Sequence, residues 1–153
     1  RYLTALRLAF TQANDGVVMR LAQSCPYLTE MDLSGCPHLS PWGLNSALAR
    51  MPDLRALSLS NDLQFESHGI VHPKLEVLNL SFCKNLTDEG LIRTCPRLLA
   101  IDLSWCSGLT LEGVNGLFLT IPQLKCVNVR GLLALLPGRF VAEMESRGIS
   151  ILS

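Results

Sequence analysis

Neither charge predominates in this sequence. Thirteen Lys and Arg balance thirteen Asp and Glu, for a formal net charge of zero. A domain built to hold nucleic acid or an anionic membrane usually carries a basic patch, and none is evident at this level. Long apolar runs are lacking too. Stretches such as Leu132 to Leu136 fall far short of the roughly 20 residues a membrane-spanning helix needs. No basic-then-apolar leader opens the chain, which begins at Arg1 rather than Met and is expected to belong to a longer chain or a larger complex. Phosphate loops, nucleophile elbows and metalloprotease helices do not occur, and no cysteine pair has zinc-finger spacing. What is present is a chain of one-domain length, 153 residues and 48% hydrophobic, enough to bury a sizeable core.

That hydrophobic content is periodic. A Leu-x-x-Leu-x-Leu frame recurs as Leu3, Leu6, Leu8; Leu28, Met31, Leu33; Leu54, Leu57, Leu59; Leu75, Leu78, Leu80; Leu98, Ile101, Leu103; and Leu124, Val127, Val129. The middle positions are 25, 26, 21, 23 and 26 residues apart, within the 20–29 range of leucine-rich repeats. Three residues after each frame comes a column of Thr11, Cys36, Asp62, Cys83, Cys106 and Leu132. An apolar residue follows three later in four repeats (Leu39, Phe65, Leu86, Leu109), and a glycine seven later (Gly43, Gly69, Gly90, Gly113). Four repeats close on Cys25-Pro26, Met51-Pro52, Cys95-Pro96 and Ile121-Pro122.

Each column has a physical role. The alternating core reads as a short strand with one inward face, and repetition in register stacks such strands in parallel, about 4.8 Å apart. Thr11, Cys36, Asp62, Cys83 and Cys106 fall where the chain leaves the sheet, and can satisfy or shield the buried backbone there. Ser40 with Pro41, Thr87 with Asp88, and Thr110 read as helix N-caps, and the prolines return the chain to the next strand. Gly16 to Pro26 and Gly43 to Pro52 leave room for about two helical turns. Gly69 to Pro73 leaves almost none, and Gly90 to Pro96 one, so the third and fourth repeats should be thin on the helical side. The expected fold is therefore an α/β leucine-rich-repeat solenoid, a right-handed parallel β/α horseshoe formed by residues 1–153 as a single domain. Its repeats start near Leu3, Leu28, Leu54, Leu75, Leu98 and Leu124, and a helix around Arg139 to Arg147 with the run Ile149 to Leu152 forms a C-terminal cap at about 133–153.

Six cysteines could form a disulfide framework. Five of them, however, occupy two repeat columns in which other repeats carry apolar or small polar residues. Exchange of that kind would orphan a disulfide partner, so free buried thiols and an intracellular compartment, cytoplasmic or nuclear, are expected. The triplets Asn79-Leu80-Ser81 and Asn85-Leu86-Thr87 are accordingly read as unused glycosylation acceptors.

The stretches "MDLSGCPHLS", "LNLSFCKNLTDEGL", "IDLSWCSGLT" and "LAQSCPYL" resemble the cysteine-containing leucine-rich repeats of F-box proteins over nearly the whole chain. The resemblance implies a region that holds the substrate of a cullin-type ubiquitin ligase recruited by an F-box domain. Related repeats also occur without an F-box, in nucleotide-excision-repair factors and other intracellular scaffolds, so a structural subunit of another assembly is the alternative.

In either case the partner is expected to be a protein, bound on the concave face by outward strand residues. One column there reads Arg7, Asp32, Ser58, Asn79, Asp102, Asn128. It is flanked by Ala5, Glu30, Ala56, Val77, Ala100, Cys126 and by Ala9, Ser34, Ser60, Ser81, Ser104, Arg130. Acid at Glu30, Asp32 and Asp102 suits a ligand with one or two basic groups, unless Arg7 neutralises Asp32. Phe10, Phe82 and Trp105 share a further column. They are either rim anchors or a stack within the turn, and the stack is preferred. No catalysis, cofactor or metal is expected. Asp32 and Asp102 lie three strands apart, about 14 Å, beyond the roughly 5–9.5 Å of cooperating carboxylates. His38, His68 and His72 fall in predicted turns.

Overall fold

A computed structural model describes residues 2–62, 69–92, 95–132 and 136–152. Phe65 and His68 lie outside them. Each leucine frame condenses to a three-residue strand: β1 Ala5–Arg7, β2 Glu30–Asp32, β3 Ala56–Ser58, β4 Val77–Asn79, β5 Ala100–Asp102 and β6 Cys126–Asn128. They pair in sequence order, all parallel. Leu6, Met31, Leu57, Leu78, Ile101 and Val127 face one another along the stack, as the repeat alignment requires. The C-terminal segment goes further than capping. Helix α5 (Gly138–Ser146) leads into a seventh strand, β7 (Ser150–Leu152), which sets Ile151 beside Val127 and continues the sheet. At the other end β1 has a neighbour on one side only. Leu6 and Leu8 are half-buried there, whereas Met31, Leu33, Leu57 and Leu59 are buried.

On the helical side lie α1 (Asp15–Ser24), α2 (Pro41–Leu48), α3 (Asp88–Ile92) and α4 (Leu111–Thr120). Ser40 and Thr110 cap as expected, accepting from the amides of Gly43 and Gly113, and Asn14 caps α1 through the amide of Val17. Carboxylates tie successive helix starts together. Asp15 accepts the amide and hydroxyl of Ser40 at 2.8 and 2.7 Å, and Asp88 accepts those of Thr110 at 2.9 and 2.6 Å. Two glycines of the column, Gly43 and Gly113, leave the space these carboxylates occupy. A Cβ on Gly43 would lie 2.1 Å from Cγ of Asp15, and one on Gly113 would lie 1.9 Å from Oδ1 of Asp88.

The third repeat shows no helix among its described residues, and α3 spans one turn, in line with the glycine-to-proline spacing. Backbone that is not helical must find other partners. The amide side chain of Asn45 supplies them, donating to the carbonyl of Gly69 and accepting from the amide of Val71, both at 3.0 Å. His72 is buried, which its expected place in a turn did not suggest. One ring nitrogen, Nε2, meets the carbonyl of Met51 at 3.0 Å, and Nδ1 accepts the amide of Lys74 at 3.2 Å. Burial pushes its pKa down, opposed by the hydrogen bond to the Met51 carbonyl and helped by the charges of Arg55 and Lys74.

The turn column does what its chemistry suggests. Sγ of Cys36, Cys83 and Cys106 donates to the carbonyls of Leu8, Leu59 and Leu80 in the preceding repeat, at 3.3, 3.2 and 3.0 Å. Cys95, from the column before proline, donates to Ile70 at 3.0 Å. Burial raises the thiol pKa to about 11 at Cys83 and Cys95, and to about 12 at Cys106.

Candidate functional site

The face opposite the helices is built from the first and third residues of each strand. Register places Arg7, Asp32, Ser58, Asn79, Asp102 and Asn128 in one row. Arg7, Glu30 and Arg130 are exposed, and the rest of the row is half-buried. The six residues of the row and Glu30 therefore share a face, but they are not equivalent.

Asp32, Asn79, Asp102 and Asn128 each turn Oδ1 back onto their own chain. It accepts the amide two residues on, from Ser34, Ser81, Ser104 and Arg130 respectively, at 2.9 to 3.1 Å. This Asx turn starts the departure from the sheet and explains why the column is rich in Asp and Asn. It also corrects the expected outward serine column, because Ser34, Ser81 and Ser104 are buried beneath the turn. The recurring Asp/Asn-Leu-Ser triplet was the sequence signal for it.

Toward the C-terminal end the row is further interlocked. Asp102 also accepts the Ser104 hydroxyl at 2.6 Å and the Asn128 amide nitrogen at 2.9 Å, so both carboxylate oxygens are engaged. Ser58 is held by the Ser34 hydroxyl at 2.8 Å. Toward the N-terminal end the groups are freer. Arg7 stands directly across from Asp32, yet the two form no ion pair, so the expected neutralisation is not made. The ion pairs that do form among the described residues join Arg55 to Asp53 and Glu76, and Lys74 to Asp53, where the chain enters the strands. Oδ2 of Asp32 has no hydrogen-bond partner among the described residues, and Glu30 projects beside it. These groups border a shallow hollow of about 480 Å³ across β1 to β4, floored by Ala5, Ala56, Ser58 and Val77.

The aromatic column lies along one rim. Phe10, Phe82 and Trp105 have φ of 58°, 61° and 61°, and share this left-handed conformation with Gly35, Asn61 and Gly131. Such a conformation costs a bulky residue on the order of 1–3 kcal/mol. The geometry requires it. At this point the chain turns off the sheet, while its amide still donates to the next repeat: Phe82 to Ser104 and Trp105 to Arg130, each at 2.8 Å. The rings then lie over the neighbouring turn. Phe82 stacks on Trp105 with centroids 6.2 Å apart and planes 15° apart. A Cβ on Gly131 would sit 2.6 Å from the Trp105 ring, and one on Gly35 would sit 2.6 Å from that of Phe10. Stacking within the turn is thus present, and Phe82 and Trp105 remain 44% and 48% exposed.

Among the described residues no group of three His, Cys, Asp or Glu could hold a metal ion, and no helix is long and apolar enough to cross a membrane. Cys126 opens β6 on this face, half-buried, and Cys25 is half-buried at the end of α1.

Comparison with known proteins bears on the fold. A family model described as a leucine-rich repeat matches residues 71–93, which include β4 and α3. Among solved structures the chain is similar to one described as the Rad7 and Elc1 complex in yeast, with a TM-score of 0.53 and 18% identity. The match takes in 91% of this chain and 44% of that one, so the chain spans less than half the length of its neighbour. The parallel seven-stranded sheet with intervening helices, the family match and this neighbour together make the fold an α/β leucine-rich-repeat solenoid.

Proposed function

We propose that this chain is a non-catalytic protein-recognition domain that holds its partner on the concave face. We read it as the substrate-recognition region of an F-box-type ubiquitin ligase receptor. The observation that carries the first part is the row of outward side chains, presented in register by six parallel strands, with no element among the described residues packed over it. The second part rests on the cysteine repeats, whose thiols are built into the turns as hydrogen-bond donors and so favour a reducing intracellular setting, cytoplasmic or nuclear. Arg7, Glu30, Asp32, Ser58, Asn79, Asp102, Asn128 and Arg130 form the docking row, and Phe82 and Trp105 are its rim anchors. The ligand is protein, with no direct nucleic-acid or membrane contact. One observation favours a second reading, a structural subunit of another intracellular assembly: the similar structure is itself a two-protein complex.

The first part is tested by blocking the face. Val77→Arg with Ala100→Arg puts two long side chains on it, whereas Leu119→Arg, at a 73% exposed position on α4, alters the helical side. Mass spectrometry of proteins retained from cell extract should show the same partners lost with the first variant and kept with the second. The reverse pattern would move recognition to the helices. The choice of assembly is decided by purifying the full-length gene product. A co-purifying cullin-type ligase supports the receptor reading, and a stable complex without one supports the subunit.

A further inference from the structure

We infer that the docking face has one dedicated subsite, the hollow over β1 to β4, and that it takes a Lys or Arg side chain from an extended peptide segment of the partner. The inference rests on the concave-face reading above and goes on to name the subsite and its ligand chemistry.

Hydrogen bonding divides the row. Asp102 is acidic by composition, but both its oxygens are occupied by Ser104 and Asn128. Three donors already take three of the roughly four acceptor positions of that carboxylate, holding the turn and tying β5 to β6, so little of it is left for a ligand. Asp32 spends one oxygen on its turn and keeps the other open, and Glu30 is exposed two residues earlier on the same face. Two carboxylates are therefore available on one strand at the edge of the hollow. The floor beside them is small and mostly apolar, formed by Ala5, Ala56 and Val77, the last 46% exposed. A methylene stem can lie on such a floor while its charged head reaches the carboxylates, which is how Lys and Arg bury surface without losing their charge. The unpartnered sheet face offers the charge complement of a basic side chain, with apolar surface leading to it.

Arg7 gives the test its sign. It lies one strand from Asp32 without pairing with it, so an incoming cation must sit near a like charge. Removing that charge should help a basic ligand, and removing the carboxylates should hurt it. A purely structural role for these residues would not give opposite signs. Asp32→Asn preserves the turn, since Asn79 and Asn128 make the same Oδ1 bond in their own repeats. Glu30→Gln and Arg7→Gln change exposed positions.

The probe is a phage-displayed library of random twelve-residue peptides selected against the immobilised wild-type domain, with the enriched peptides resynthesised for affinity measurement. Expected are peptides sharing at least one Lys or Arg, weakened about tenfold by Glu30→Gln with Asp32→Asn, tightened about threefold by Arg7→Gln, and weakened by salt. Peptides without a basic residue, or with unchanged affinity for the neutralised double variant, would overturn the subsite. So would a selection that enriches nothing. Ala100→Arg, outside the hollow, separates the two levels of the argument. Peptides insensitive to the charge variants but lost with Ala100→Arg leave the concave face standing and remove the basic subsite. Peptides lost with none of these changes remove both.

Discussion

A buried sulfhydryl that donates to a carbonyl one repeat away does two things. It fills space as a small apolar residue, and it gives the turn a partner that water cannot reach. Cys36, Cys83, Cys95 and Cys106 all do this. Deprotonation would remove the donor and leave a charge in the core, which is why burial raises the pKa to about 11, 11 and 12 at Cys83, Cys95 and Cys106. Because the thiolate is the reactive form, native protein treated with a thiol reagent near neutral pH should be labelled first at Cys126, with Cys25 next. Cys83, Cys95 and Cys106 should react only as the protein unfolds. Time-resolved peptide mapping reads the order, and early labelling of Cys83 or Cys106 would mean that the faces have been assigned wrongly. His72 gives a pH dependence. Its folded pKa lies below the unfolded value of 6.5, chiefly through burial, so the unfolded chain binds the extra proton first. Stability should be fully present above about pH 6.5 and should fall as pH drops through and below it. Urea midpoints at pH 7.5 and pH 5 measure the loss, and His72→Gln should reduce this difference even if it lowers both midpoints.

At the scale of elements, short helices here are held by each other's termini. A helix of eight to ten residues is marginal alone, and Asp15 and Asp88 compensate by accepting two hydrogen bonds each from the next helix start while lying near its N-terminal dipole. Asp88→Ala should cost about 1–3 kcal/mol, since the Thr110 donors lose a charged partner. Gly113→Ala should cost about as much, because its Cβ would collide with that same carboxylate. Residues that share a contact do not add. The double variant should be clearly more stable than the sum of the singles predicts, as read by chemical denaturation of all four proteins. Strict additivity would show that Asp88 and Gly113 do not meet. The third repeat has taken another solution, with Asn45 bonding extended backbone at Gly69 and Val71 from the neighbouring helix.

For the whole molecule, stability propagates from one strand to the next, because each repeat buries its leucines against its neighbours. Leu78 is wholly buried near the middle of the stack. Leu78→Asp should therefore leave the chain unfolded or insoluble by circular dichroism and gel filtration, since an unpaired carboxylate in a core is severely destabilising. Asn79→Asp, one residue along, should change the midpoint little, because Asp32 and Asp102 make the same turn in their own repeats. A cooperatively folded Leu78→Asp protein would refute the alignment of all six frames. Reversing the charge of Asp102, by contrast, should be costly for the fold as well as the face, because three donors converge on it.

Strand positions, the register of all six frames, the helix caps at Ser40 and Thr110 and the thin third and fourth repeats were legible in the sequence, because each depends on local chemistry repeated at a fixed interval. Leu-x-Leu alternation, Ser or Thr before a helix, and glycine-to-proline spacing act within a few residues. The candidate face was legible for the same reason, since outward and inward residues alternate along a strand. The state of each group on that face was not. Whether Asp32 or Asp102 has an oxygen to spare depends on Ser104 and Asn128, whose positions relative to the carboxylates arise only once strands pair and turns close. The burial of His72 and the match of Gly113 to Asp88 are of the same kind. Asp88 and Gly113 are 25 residues apart and meet only when two turns stack. Periodicity determined the solenoid; contacts between its repeats decided which polar groups are committed to the fold and which are left for a partner.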